Sequence, residues 1–153
     1  MDRLSKTERS LLMSRIRGNG NKTTEADVIK LFRKSGIKGW RRKQIISFSE
    51  GLANPCQASD GTIFKPTVHP DFVFPKLKIV LFIDGCFWHG CPKCYRKPKS
   101  RGLFWDAKFR RNRERDRFQT VALRRNGWRV IRIWECALKA EIFERLVKQI
   151  IPK

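Results

Sequence analysis

From position 71 to 84 the chain reads "DFVF", "PKLK", "IVLFID": two apolar runs parted by a short Pro and Lys segment. The pattern predicts two strands joined by a tight turn, and the second run, apolar from Ile79 to Ile83, predicts a central strand covered on both faces. Upstream the period lengthens to that of helices. Thr24 predicts an N-cap, Val28, Leu31 and Phe32 fall on one helical face, and Gly36 stands where a left-handed C-cap belongs. In "SKTERSLLMSRIRG", Ser5 and Glu8 suit a capping box ahead of Leu11, Leu12 and Ile16, and "GNGN" then breaks the chain. Residues 46–69 carry two Gly, two Pro, Asn54 and a "SDG" turn signal, which predicts a long loop with an extended segment at 62–64. A loop of that length usually has a role or is mobile. Farther on, 104–125 suits an amphipathic helix stopped by Asn126-Gly127, "WRVIRIWE" a third strand, and "LKAEIFERLVKQII" a last helix with Leu138, Ile142, Phe143, Leu146 and Val147 on one face. Helices on both sides of a small mixed sheet make an α/β sandwich.

Composition narrows the partners. At 153 residues and 41% hydrophobic content, one domain with its own core is expected. Thirty-five Lys plus Arg against fourteen Asp plus Glu give a formal charge of +21, which attracts polyanions, nucleic acid before anionic membrane. No stretch approaches the roughly 18 apolar residues of a membrane span, and "MDRLSKTERS" lacks the apolar core of a signal peptide, so a cytoplasmic location is expected. Five cysteines, an odd number, then fit metal ligation or free thiols better than a disulfide framework.

Candidate chemistry concentrates in "DGCFWHGCPKC", Asp84 to Cys94. Cys86, Cys91 and Cys94 on this loop, with Cys136 at the end of the third strand, suit a closed tetrahedral zinc site of four thiolates, with His89 an alternative ligand. Free thiols and a buried Cys136 are the weaker reading, and Cys56 has no inferable partner. Asp71 heads the first strand of the hairpin and Asp84 ends the second, so antiparallel pairing lets the two carboxylates approach as a hard oxygen site for Mg²⁺. On spacing alone, ordinary strand-end residues are the stronger reading of the two. Glu25 equally suits a helix-dipole role. His89 offers an imidazole, the side chain suited to proton transfer near neutrality, or is a zinc ligand or a core imidazole. From Lys93 to Arg117 there are eleven Lys or Arg against three acids, interleaved with Tyr95, Phe104, Trp105 and Phe109. Such a segment supplies phosphate contacts and flat surfaces for bases, while Phe87 and Trp88 read equally as core plugs or as intercalating wedges.

"PDFVF", "DGCFWHGC", "FW", "NRERD" and "GWRVIRIWECAL", in this order, resemble the very-short-patch repair (Vsr) DNA mismatch endonucleases. The likeness covers roughly 5–45 and 70–140, and "GCFWH" with "WECAL" is its specific part. It implies a restriction-endonuclease-like α/β core, a structural Zn²⁺, and Mg²⁺-dependent nicking beside the thymine of a T:G mismatch. It also implies Asp71 as metal-binding aspartate, the Ile83 carbonyl as second Mg²⁺ ligand, and His89 as the catalytic histidine. Glu25 then holds metal-bound water and Asp116 supports the site. Cys86, Cys91, Cys94 and Cys136 fall on the zinc positions, the second being histidine in the best-known member, and Phe87, Trp88 and Trp105 on the wedging aromatics. Asp84 replaces that member's histidine and is expected to add a direct metal ligand.

The resemblance further implies one domain over 1–153, with a DNA-contacting arm at 1–22 and an inserted loop at 46–69. It implies a monomer acting on double-stranded DNA in a nucleoid, with mismatch-repair proteins as possible partners. Two other readings stand beside it: a related restriction or lesion-specific endonuclease, and a non-catalytic zinc-stabilised DNA-binding module. Clustered acids beside phosphates argue against the last.

Overall fold

The computed structural model describes residues 5, 7–8, 11, 22–48, 58–61, 67–98 and 101–138. Cys56, the extended segment expected at 62–64, the "GNGN" break and the last helix after Leu138 lie outside them. So does most of the arm at 1–22, although the expected capping box is present: Glu8 Oε2 accepts from the Ser5 N–H at 2.8 Å, and Ser5 Oγ accepts from the Glu8 N–H at 3.2 Å.

Helix α1 (Lys22–Lys34) is followed by β1 (Ile46–Ser47), β2 (Thr67–Val68), β3 (Phe72–Phe74), β4 (Ile79–Asp84), α2 (Gly102–Arg125) and β5 (Arg129–Trp134). The main sheet runs β3-β4-β5, with β3 antiparallel and β5 parallel to β4, so the central apolar run is the central strand and the sheet is mixed. Alternation explains why every position of that run is apolar. Ile79 and Leu81 join Phe72, Phe74, Val28 and Phe32 in a core under α1; Val80 and Phe82 join Val73, Ala122 and Leu123 in a second core under α2. Helices on both faces of a mixed sheet give the α/β class that the pattern and the resemblance called for.

Two local expectations are corrected. Thr24 is not an N-cap: α1 starts at Lys22, and the Thr24 hydroxyl donates instead to Glu135 Oε1 at 3.3 Å. A distant carboxylate supplied the partner that the helix N-terminus was expected to be. The segment 46–69 is not wholly loop either. Its ends are β1 and β2, paired antiparallel as Ile46 with Val68 and Ser47 with Thr67, because Ile46 and Val68 bury their side chains in the α2-side core. Two-residue strands bear too short an alternation to be seen in sequence.

The turns behave as their residues demand. Gly36 and Gly127 adopt positive φ, at 66° and 76°, ending α1 and α2. Among the described residues no helix is long and apolar enough to cross a membrane.

Candidate active site and metal centre

The register of the sheet decides which side chains meet. Phe72 pairs with Leu81, so Asp71 arrives beside the end of β4, where its Oδ2 accepts from the Ile83 N–H at 2.7 Å. Asp84 continues the Val80 and Phe82 face, toward α2. On the neighbouring strand Arg132 is level with Phe82, and its guanidinium reaches Asp84 with two bonds: Nε to Oδ2 at 2.8 Å and Nη2 to Oδ1 at 2.5 Å.

Helix α2 supplies the opposite wall. Trp105, Phe109, Asn112 and Asp116 recur at spacings of four, three and four, one helical stripe, and that stripe faces the Cys-rich loop. Asp116 Oδ2 lies 2.5 Å from His89 Nδ1, and its Oδ1 lies 3.1 Å from Arg132 Nη2. Asn112, buried, donates from Nδ2 to the Trp88 carbonyl at 2.8 Å. Gly90 has φ 68°, a left-handed turn that favours glycine, with the Arg113 guanidinium close by.

The result is a cluster in which ligand atoms of Asp84, His89 and Asp116 lie within 4.8 Å of one another. Asp71 is outside that trio yet close enough for Asp84, Arg132 and His89 to act on its charge. Its carboxyl is raised above its ordinary value, first by burial, opposed by the Ile83 N–H and reinforced by Asp84. Burial also pushes Asp116 upward, but the His89 bond and the Arg132 charge outweigh it and leave that carboxyl lowered. Glu25 is not brought to the trio; it is ion-paired with Arg42.

Behind the loop the four cysteines converge. Sγ of Cys94 lies 3.4 Å from those of Cys86 and Cys91, Cys91 Sγ lies 3.7 Å from Cys136 Sγ, and all four fall within 4.8 Å of one another. None forms a disulfide. Zn–S bonds of about 2.3 Å in a tetrahedron place sulfurs about 3.8 Å apart, so the donor set fits Zn²⁺. The Asp71 carboxylate, hard, half-buried and raised in pKa, fits a divalent cation that would relieve it. The Cys86 N–H also donates to Glu135 Oε2 at 3.4 Å, and Glu135 thereby ties the loop to Thr24 of α1.

Phe87, Trp88 and Trp105 come together: the Phe87 ring centroid is 5.2 Å from each of the two tryptophans, and Phe109 stacks on Trp105 at 5.7 Å. Just outside, Leu103 and Phe104 are 89% and 55% exposed.

Sequence reasoning missed Arg132, Asn112 and Glu135. Only the stripe spacing of Asn112 between Phe109 and Asp116 was a usable signal. Arg132 sits in an ordinary-looking strand, and Glu135 reads as a strand-end acid.

Residues 58–96 match the family model described as DNA mismatch endonuclease Vsr. The type II nicking enzyme V.NaeI of Lentzea aerocolonigenes is 52% identical over 68 residues, 44% of this chain and 41% of that protein. The type II nicking enzyme V.XorIIP of Xanthomonas oryzae pv. oryzae is 48% identical over 71 residues, 45% and 52% of the two chains. The DNA mismatch endonuclease Vsr of Escherichia coli K12 is 46% identical over 72 residues, 46% of each. The chain spans about half the length of the curated relatives it matches. The likeness to the Vsr family thus rests on the segment that carries Asp71, Asp84, His89 and three of the four clustered cysteines.

Proposed function

Proceeding from the Vsr-family likeness of its strand-and-loop segment, we propose that this protein is a divalent-metal-dependent DNA endonuclease that nicks one strand beside the thymine of a T:G mismatch. One observation carries the reading: His89, on the loop that bears Phe87, Trp88 and three of the four clustered cysteines, pairs with Asp116 of α2 at 2.5 Å beside the Asp71 carboxylate.

The chemistry asks little more of the chain. Asp116 accepts from Nδ1–H of His89, which fixes the tautomer and leaves Nε2 as the proton-accepting nitrogen. His89 takes the proton of a water whose oxygen attacks the phosphorus; the bond to the 3′ oxygen breaks, leaving 5′-phosphate and 3′-hydroxyl. The Asp71 carboxylate and the Ile83 carbonyl would hold Mg²⁺, which supplies charge neutralisation at the scissile phosphate and the leaving oxygen. Glu25, positioned by Arg42, would orient water on that ion. Four thiolates holding Zn²⁺ would stiffen the loop, so that one rigid body carries both the base and the wedge. Phe87, Trp88 and Trp105 then enter the base stack at a cost of a few kcal/mol per step, least at a weakened mispair.

A second reading, nicking at a different target, draws support from the relatives named type II nicking enzymes. The test is a panel of mismatched and fully paired duplexes with Mg²⁺. A nick confined to the T strand of T:G, abolished in Asp71→Asn while binding persists, is the expected result. Cutting of paired DNA favours the second reading; binding with no cut under any divalent metal overturns both.

A further inference from the structure

The geometry points to Arg132 as the resident cation of this site: it closes Asp84 to divalent metal, so that the carboxylates take one catalytic ion, at Asp71, and not two. The inference rests on the metal-dependent reading above and deepens it.

Asp84, His89 and Asp116 form the sort of group that gathers round a cation, and a cation is already among them. Arg132 Nη2 stands 2.5 Å from Asp84 Oδ1 and 3.1 Å from Asp116 Oδ1, while Nε takes the other Asp84 oxygen at 2.8 Å. A fork of this kind uses the lone pairs of both oxygens that face the site. Between His89 Nδ1 and Asp116 Oδ2, 2.5 Å apart, there is no room for an ion.

Strand position, not a flexible stem, holds the guanidinium there. Arg132 is level with Phe82 on β4, and its Cζ lies 4.7 Å over the Phe82 ring. Nη1 is buried without a hydrogen-bond partner among the described residues. A donor left unsatisfied inside the protein is costly, and the pairing of the same guanidinium with Asp84 and Asp116 offsets that cost. Three carboxylates, Asp71, Asp84 and Asp116, face one guanidinium, and with His89 neutral, as a base must be, two negative charges remain. One divalent cation balances them; a second would leave the site as positive as it is now negative.

The test is a titration of the full, zinc-loaded chain with Mn²⁺ alone, read by calorimetry and by electron paramagnetic resonance, so that no turnover enters. Wild type is expected to bind one Mn²⁺, lost in D71N and retained in D84N. R132M is expected to bind two, the second lost again in D84N/R132M, and R132K to return to one. Two ions in wild type, loss of the ion in D84N, or an unchanged single site in a folded R132M overturns the inference while leaving the nuclease reading standing. A wild-type protein that binds no Mn²⁺, or a D71N variant that binds as well as wild type, refutes the metal placement itself. Loss of the ion in D84N would overturn the inference even if R132M failed to fold.

Discussion

Asp116 and Asp71 carry their carboxyls in opposite electrostatic settings, and their variants should part accordingly. Asp116 is lowered in pKa despite burial, because His89 and Arg132 favour its charged form. Its contribution to stability is therefore full above the unfolded carboxylate value of about 3.9 and is lost as pH falls through the lower folded value. Acid titration should show wild type and Asp116→Asn converging only below about pH 4. The same variant keeps the imidazole but not its tautomer, so nicking should fall about 10²- to 10⁴-fold with zinc content unchanged. Asp71 is the reverse case. Burial raises its carboxyl, so ionising it costs stability as pH rises from the unfolded value through the raised folded one. In metal-free protein at neutral pH, Asp71→Asn should melt a few degrees higher than wild type, and the advantage should vanish in acid. A lower melting temperature would mean the carboxylate is a structural necessity.

At the scale of elements, the site is a strand end, a loop and a helix stripe clamped at three points: the sulfurs, the Asn112 to Trp88 bond, and Glu135 between Thr24 and the Cys86 N–H. Asn112→Ala removes a buried amide and its bond to the Trp88 carbonyl and should cost about 1–3 kcal/mol in chemical denaturation. Removing the metal from the four thiolates, by chelation or in Cys91→Ser, should cost several kcal/mol and alter Trp emission, since Trp88 rides on that loop. Unchanged emission with lost zinc would detach the clamp from the wedge. Much of this element plan was legible. The apolar run Ile79 to Ile83 announces a strand buried on both faces, Gly127 announces the helix stop, and thiol spacing announces the cluster. What escaped was set by partners remote in sequence. Thr24 has an N-cap's chemistry but spends its hydroxyl on Glu135, 111 residues away. Arg132 is a basic residue among the apolar positions of β5, which in sequence carries no sign of a partner, and only the parallel register beside Phe82 turns it onto acids. β1 and β2 hold two residues each, below the length at which alternation carries information.

Over the whole molecule, on the proposed reading, a formal charge of +21 would set affinity for DNA without telling one sequence from another, while the aromatic group beside the acids would tell a weak base step from a strong one. The two tasks occupy neighbouring faces of α2. Arg110, Arg113 and Arg117 follow the stripe of Phe109, Asn112 and Asp116 by one residue, about 100° round the helix, and all three are exposed. If they meet phosphates flanking the site, Arg110→Ala and Arg117→Ala should each weaken matched and mismatched duplexes alike. Each should also reduce the slope of log K against log salt by about 0.9. Trp88→Ala should do the opposite. It removes a stacking contact of about 1–3 kcal/mol, so the preference for a mismatched over a matched duplex should fall about 5- to 150-fold while the salt slope stays where it was. Fluorescence anisotropy over a salt series, on paired and T:G duplexes, measures both quantities in one experiment. A flattened slope in Trp88→Ala, or a lost preference in Arg117→Ala, would show that attraction and discrimination are one function of this surface and not two.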